Sequence, residues 1–365
     1  MPVFFILILV SYLLGNIYVF VRGLQALGHL SSAFKVIYSV VYLLGASLLI
    51  IMMIFREARH IPASLGHILF QTGSAWLVFI LYMVVFLGCT DLISVFNRSF
   101  QHGFYISLLL TISLLTYGYI NYQHPVKQVI NITVDKPVTQ QDNIKIVGIS
   151  DWHLGFGTSN KRLKQDVDRI NAEKPDIILI AGDLIDNSVT PVISREMDRE
   201  LNRLHAPMGI YMAPGNHEYI SGISQSTDFI GKTNIQLLKD SMVTLPCGLQ
   251  IIGRDDYINR NRLSAKEWVA LADPSKPTIL IDHQPNHLTD AQLIKADLQF
   301  SGHTHNGQFF PFTFITGRLF ELSYGFKKSG DTHYYVTSGL ALWGPPFRIG
   351  TSSEIAVFLL TCAKK

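Results

Sequence analysis

Residues 144–153 read I-K-I-V-G-I-S-D-W-H, a β-branched run of seven that breaks off at an aspartate and a histidine two positions apart. Alternating and continuous apolar residues over so short a span read as a buried strand, and the Asp151-x-His153 pair then falls on the loop at its end. Working outward, the same pattern recurs. Asp176–Ala181 (D-I-I-L-I-A) leads into Gly182-Asp183-Leu-Ile-Asp186, and Gly209–Met212 into Gly215-Asn216-His217-Glu218. Thr278–Asp282 leads into His283, and Leu298–Ser301 into Gly302-His303-Thr-His305. Five blocks rich in Asp, Asn and His therefore sit on loops at strand ends. Gly182, Gly215 and Gly302 precede ligand candidates, where a backbone turning sharply toward an ion leaves little room for a side chain.

Between the first two strands, Leu163, Val167 and Ile170 recur at helical spacing behind Thr158, Ser159 and Asn160 as candidate caps, which predicts a β-α-β start. Further strand candidates at Leu249–Gly253, His333–Thr337 and Ile355–Leu360 make the later chain richer in β patterning. The expected domain, residues 143–365, has two facing sheets flanked by helices, an α/β arrangement of four layers.

The residue types in the five blocks are those that coordination chemistry demands. A pair of divalent ions about 3.5–4 Å apart needs a shared ligand and open positions, so that a hydroxide is held for in-line attack on phosphorus. Imidazole nitrogens, carboxylates and one amide oxygen form a mixed set that suits manganese, iron or zinc better than a calcium cage. No cysteine belongs to the set, and a structural zinc site would use thiolates and saturate itself with protein ligands. Each block alone has a plain reading: Gly-Asn-His-Glu could be an ordinary turn and Gly-His-Thr-His a solvated loop. Their recurrence after apolar runs removes that reading.

In order and content the blocks resemble the signature of the calcineurin-like metallophosphoesterases, from about Asn143 to Leu360. The resemblance implies Asp183 as the carboxylate bridging two metals, with Asp151, His153 and His305 completing one and Asn216, His283 and His303 the other. It further implies that His217 faces the phosphate, stabilising the oxyanion or protonating the leaving oxygen, and that Asp186 orients its imidazole. Glu218 is read as structural, and His205, His287 and His333 are assigned nothing. Near the carboxyl end, Gly339–Gly350 (G-L-A-L-W-G-P-P-F-R-I-G) resembles the Gly-Pro-Pro-x-Arg stretch of the membrane-anchored and exported bacterial branch, as do His305–Gln308 and Gly350–Ile355. Arg348 is a candidate substrate contact through its guanidinium fork, or else a salt bridge that locks the loop. Ser353 stands where that branch often has proline.

The first third is a different material. About 3–21, 36–55, 65–90 and 104–120 are apolar runs long enough to cross a bilayer, which takes about 20 helical residues. Four transmembrane helices over residues 1–121 are expected, joined to the domain by a linker at 122–142 that carries Pro125 and Pro137. No basic residue precedes the first run, which argues against a cleaved signal peptide. Gly15, Gly45, Gly73 and Gly88 suit helix packing in lipid. The runs hold no ionisable residue apart from His67, which favours an anchor over a transporter. Arg22, Lys35 and Arg98 fall on one face of the membrane and Arg56, Arg59 and Lys127 on the other, so the positive-inside rule gives no orientation. Likeness to exported relatives points to an extracytoplasmic domain on a multi-pass protein of a bacterial cell membrane.

The formal charge of +3, from 30 basic and 27 acidic residues, is too small and dispersed for nucleic acid. Cys89, Cys247 and Cys362 imply no disulfide framework. The expected activity is hydrolysis of a phosphomonoester, phosphodiester or pyrophosphate by a bilayer-anchored enzyme, on a small-molecule or lipid-linked substrate. A nucleotide-sugar lipid pyrophosphate, as handled by the related UDP-diacylglucosamine pyrophosphohydrolases, is one candidate. The alternative is a catalytically inactive receptor or transport component that uses the same fold to bind a phosphate ligand.

Overall fold

The computed structural model describes residues 2–55, 62–139 and 143–364. It divides into two compact units, Met1–Ile120 with Gly344–Ile349, and Asn121–Trp343 with Gly350–Lys365.

The first unit is built on helices α1 (Pro2–Ala26), α2 (Ser32–Phe55), α3 (Ala63–Phe96) and α4 (Gly103–Gln123). Among the described residues, three helical stretches are long and apolar enough to cross a membrane: Ser32–Ile51, Ser64–Phe96 and Gly103–Gln123. The four expected crossings thus all fall on helices, and three of them meet that standard. Val19, Tyr42, Ile80, Met83 and Leu87 form a small core, and Asn16 ties three helices by accepting from Tyr42 Oη at its carbonyl (2.9 Å) and from Trp76 Nε1 at its side chain (3.0 Å). Outward-facing Leu14, Val41 and Leu92 are each about 60% exposed, the inverse of a water-soluble bundle. The helices run further than the apolar runs suggested. Arg22 and Asp91 therefore lie within α1 and α3, where they pair at 2.5 Å, and Tyr18 Oη donates to the same carboxylate at 2.6 Å. Besides His67, the helices therefore hold this buttressed ion pair and Lys35 near the start of α2, whose Nζ donates to the Gly28 carbonyl. Arg56 and Arg59 lie outside the described residues.

The second unit carries two six-stranded sheets. The strands are β1 (Val126–Val138), β2 (Asn143–Ile149), β3 (Ile177–Ala181), β4 (Ile210–Ala213), β5 (Gln236–Leu237), β6 (Ser241–Thr244), β7 (Gln250–Gly253), β8 (Thr278–Ile281), β9 (Leu298–Ser301), β10 (Gly325–Ser329), β11 (Thr332–Val336) and β12 (Glu354–Lys364). The first sheet runs β1-β12-β2-β3-β4-β5 and the second β10-β11-β9-β8-β7-β6. The stretch expected as a linker is mostly β1, which pairs in parallel with β12 along its length. Its inward residues Ile132, Val134 and Val138 are buried while Asn131, Thr133 and Asp135 face out, so the period of two was present. Pro137, which suggested a linker, sits where the pairing register shifts, a place on an edge strand where a missing N–H is tolerated.

Helix α5 (Asn160–Ala172) is capped by Ser159, whose Oγ accepts from the Arg162 N–H at 3.2 Å, one of the expected caps. It buries Leu163, Val167 and Ile170 on the outer face of the first sheet together with Ile178 and Ile180. The inner faces of both sheets share one core, with Ile146, Ile177 and Phe358 from the first and Ile251, Ile279 and Phe300 from the second. Trp268, Ala291 and Ile294 on two further helices cover the outside of the second sheet. The layers are therefore helix, sheet, sheet, helix. β2, β3, β4 and β5 run parallel, as do β7, β8 and β9, so each sheet sends several loops out at one end.

Candidate metal centre

The ligand candidates occupy those ends. Asp151 and His153 follow β2, Asp183 and Asp186 follow β3, and Asn216 and His217 follow β4 in the first sheet; His283 follows β8, and His303 and His305 follow β9 in the second. The loops after β2 and β3 continue the ladder past the strands: the Asp151 N–H donates to Gly182 O (3.1 Å), His153 N–H to Asp183 O (3.0 Å) and Leu154 N–H to Leu184 O (2.8 Å). Asp151, His153, Asp183, His303 and His305 all have positive φ, between 44° and 72°. A left-handed backbone at a non-glycine residue costs about 1–3 kcal/mol and persists only where its surroundings impose it. Here those surroundings are the loops themselves, and the result is that side chains from both sheets turn toward one point. A Cβ on Gly182 would strike Gly215 and the His283 ring, and one on Gly302 would strike Ser150 and the Asp151 carboxylate, as the sequence suggested.

Three overlapping groups bring their ligand atoms within 4.8 Å of one another: Asp151, His153 and His305; His153, Asp183 and His217; Asp183, His283 and His303. His153 Nε2 lies 3.1 Å from His305 Nε2, and His305 Nε2 lies 3.4 Å from Asp151 Oδ1. Asp183 Oδ2 lies 3.8 Å from His153 Nε2 and 3.1 Å from His283 Nε2. Asn216 Oδ1 stands 3.1 Å from His283 Nε2 and 2.9 Å from His303 Nδ1. All seven expected metal ligands are thus in one constellation.

The arrangement fits cations. His283 Nδ1 is 2.6 Å from the Ala181 carbonyl, which can only accept, so this nitrogen carries a proton, and Nε2 faces the Asp183 and Asn216 oxygens, a position that calls for either a proton or a metal ion on it. Acceptors facing acceptors in a buried site repel unless positive charge lies between them. The titration of the site says the same. Burial opposes charge on His283, but Asp183, then Asp151 and Asp256, outweigh it and raise its pKa well above the ordinary imidazole value. Burial also opposes ionisation of Asp183, yet His283, His217 and His153 hold its pKa well below the usual carboxylate range. His303 is pushed down to about 3, by burial first and by the charge on His283 next.

Asp186 Oδ1 is 3.5 Å from His153 Nδ1 and 3.3 Å from His217 Nδ1, so one carboxylate faces the outer nitrogens of a ligand and of the imidazole expected at the phosphate. Burial raises its pKa, but these two rings win and bring it to about 2. Reciprocally, burial lowers the His217 pKa while Asp186 and Asp183 raise it to about 9. The rings of His153 and His217 meet edge to face at 4.6 Å.

Two residues at the site were not expected there in these roles. Glu218, fully buried, accepts from the Asp183 N–H (3.0 Å), the Ile185 N–H (3.0 Å) and the Gly215 N–H (2.7 Å), which fixes the Asp183 loop against the Asn216 loop. Its structural reading is sharpened into a specific duty, whose only sequence signal was its place three residues after Gly215. Trp343 is 56% exposed with its ring 6.4 Å from that of His217; nothing in its local sequence tied it to the site. Arg348, the expected substrate contact, lies in Gly344–Ile349 with the helical unit; it is fully buried, and its N–H donates to Gly118 O at 3.0 Å. Of the unassigned histidines, His333 is buried with Nδ1 3.0 Å from Asp297 O, and His287 packs on Tyr257.

The profile of the calcineurin-like phosphoesterase family matches residues 144–307. An uncharacterized metallophosphoesterase of Campylobacter jejuni is 29% identical over 374 residues, 98% of both chains. One of Aquifex aeolicus is 32% identical over 221 residues, 59% of this chain and 84% of the relative. A zebrafish (Danio rerio) protein described as a transmembrane protein with metallophosphoesterase domain is 29% identical over 272 residues, 70% of this chain and 62% of the relative. With the ligand loops, the profile match and these relatives in agreement, the chain belongs to the calcineurin-like metallophosphoesterase family.

Proposed function

We propose that this chain is a membrane-anchored phosphoesterase that hydrolyses a phosphomonoester, phosphodiester or pyrophosphate with two divalent cations. The observation that carries the reading is the position of Asp183, whose Oδ2 faces His153 Nε2 on one side and His283 Nε2 on the other. One ion would take Asp151, His153, His305 and Asp183, the other Asn216, His283, His303 and Asp183. Ions of manganese, iron or zinc type supply, when bound, Lewis acidity toward phosphate oxygens and a lowered pKa for water.

The protein's own groups do the rest. His217 turns Nδ1 to Asp186, whose carboxylate favours the imidazolium, so that Nε2 also carries a proton to hold at a phosphoryl or leaving oxygen. Asp183 Oδ1 also accepts the His217 N–H at 2.8 Å, so the bridging carboxylate and the acid are held in fixed relation. Glu218 fixes both loops through backbone N–H groups, which keeps the charged centre pre-organised.

The apolar helices support a bilayer anchor, and an anchor confines enzyme and substrate to one surface, which favours a lipid-linked phosphoester or pyrophosphate. Purified full-length protein assayed on an aryl phosphodiester should release product only with added divalent metal and lose activity to a chelator. Tight phosphate-ligand binding without turnover under those conditions would refute the enzymatic reading. A reporter fused after Lys365 would test the extracytoplasmic placement.

A further inference from the structure

The segment that follows His305 is dressed for an apolar neighbour. Helix Phe312–Leu319 buries none of its residues, although Phe312, Phe314, Ile315 and Leu319 make up half of it. Phe314 is 64% and Leu319 72% exposed, and Phe310 is about half exposed. The rings pack on one another, Phe309 on Phe312 at 5.3 Å and Phe310 on Phe314 at 5.6 Å, and not into a core. Exposed Arg318 lies on the same helix. A run of large exposed apolar side chains with an arginine among them is the pattern of a surface that enters the headgroup and acyl boundary of a bilayer.

Connectivity says what covers the patch. Only His124 and Pro125 separate α4 from β1. Asn121, in the last turn of α4, donates from Nδ2 to Thr351 O at 2.7 Å, and Thr351 Oγ1 donates to Gln308 O, also at 2.7 Å. The aromatic segment starts at the next residue. The register places this junction at the ligand end of the first sheet, since Val126 pairs with Glu354 and Ala356 with Gly148, just before Asp151. The end of α4 at Gln123 therefore hands the chain on beside Gln308, at the end of the sheet that carries the ligand loops. His303, whose ring meets Phe320 at 6.0 Å, closes the path from patch to metal centre.

We propose that Phe310–Leu319 is a bilayer-docking face that dips Phe314, Ile315 and Leu319 into the lipid interface next to the metal centre. The inference rests on the reading of α2–α4 as membrane crossings and deepens that of a lipid-borne substrate, whose phosphate would reach the ligands without leaving the bilayer surface.

The full-length protein, placed in nanodiscs of phosphatidylcholine and phosphatidylglycerol, tests it. Leu319→Cys in a Cys89→Ser background, where the remaining Cys247 and Cys362 are buried, takes an environment-sensitive nitrobenzoxadiazole label. Lys276→Cys, in the turn before β8 at the strand end away from the ligands, is the control. Spin-labelled lipid carrying its quencher in the outer ~5–10 Å of the acyl region should reduce emission at position 319 at least about twofold and leave position 276 unchanged. Equal emission at both sites overturns the proposal. So does a blue-shifted but unquenched label at 319, since protein and not lipid would then cover the face. Quenching in a preparation that hydrolyses no phosphoester would sink the enzymatic reading and leave the docking face standing.

Discussion

The two sheets make unequal contributions to one centre. The first supplies every oxygen ligand, Asp151, Asp183 and Asn216, with a single imidazole, His153; the second supplies imidazoles alone, His283, His303 and His305. On the proposed reading the first sheet would provide the negative charge that draws cations in, and the second imidazole donors that, with a cation bound, hold it without adding negative charge. Neither can assemble a site alone, and the seam is closed by protein contacts as well: the His303 N–H donates to the Asp151 carboxylate at 3.1 Å, and His283 Nδ1 meets Ala181 O across the sheets. What differs between the halves is therefore function, since both present ligands by the same device, a loop at the end of parallel strands.

Substitutions can break this comparison in graded ways. Asp183→Ala should be the most severe, because it removes the one oxygen donor placed between both groups; activity should fall by about 10³-fold or more, and elemental analysis should find both ions depleted. Full activity with intact metal content would end the bridging assignment. His217→Ala should cost about 10²–10⁴ in rate, the span of a lost general acid, with metal content kept; loss of metal there would make His217 a ligand instead. His283→Ala sharpens the contrast between sheets: a lost imidazole of the second sheet should empty one position and leave about one ion per chain held largely by first-sheet groups. If both ions vanish, the halves are not separable. Asp186→Asn should reduce turnover about 10- to 100-fold, as loss of an orienting carboxylate does, because an amide can present an N–H where His217 Nδ1 needs an acceptor. The mildest effect is expected of Glu218→Gln, which weakens one of the buried acceptors for three N–H groups and should lower stability by about 1–3 kcal/mol, read as a fall in the thermal midpoint.

Some features could be read before folding because chemistry restricts them to few residue types. Asp151, His153, Asp183, Asn216, His283, His303 and His305 announce themselves by side chains that few other duties require in that order, each after a buried apolar run. The strands β2, β3 and β8 were legible for the same reason, since strands buried on both faces are rich in Ile, Leu and Val. β1 was not: Pro125 before it and Pro137 within it outweighed its alternation, and only pairing with β12, more than two hundred residues later, makes it a strand. The two-residue β5 has no signal of its own. The helix ends were likewise hidden, because Arg22 and Asp91 look like boundaries until they are seen to neutralise each other.

The amino-acid sequence by itself determined the ligand types, their order and the apolar helices, because coordination preference and hydrophobicity belong to single side chains. That Nδ1 of His283 carries a proton, how Glu218 binds two loops, and why Asn121, Thr351 and Gln308 meet beside an exposed aromatic helix were decided only by the tertiary structure. These depend on distances between residues remote in sequence, and local pattern carries no information about them.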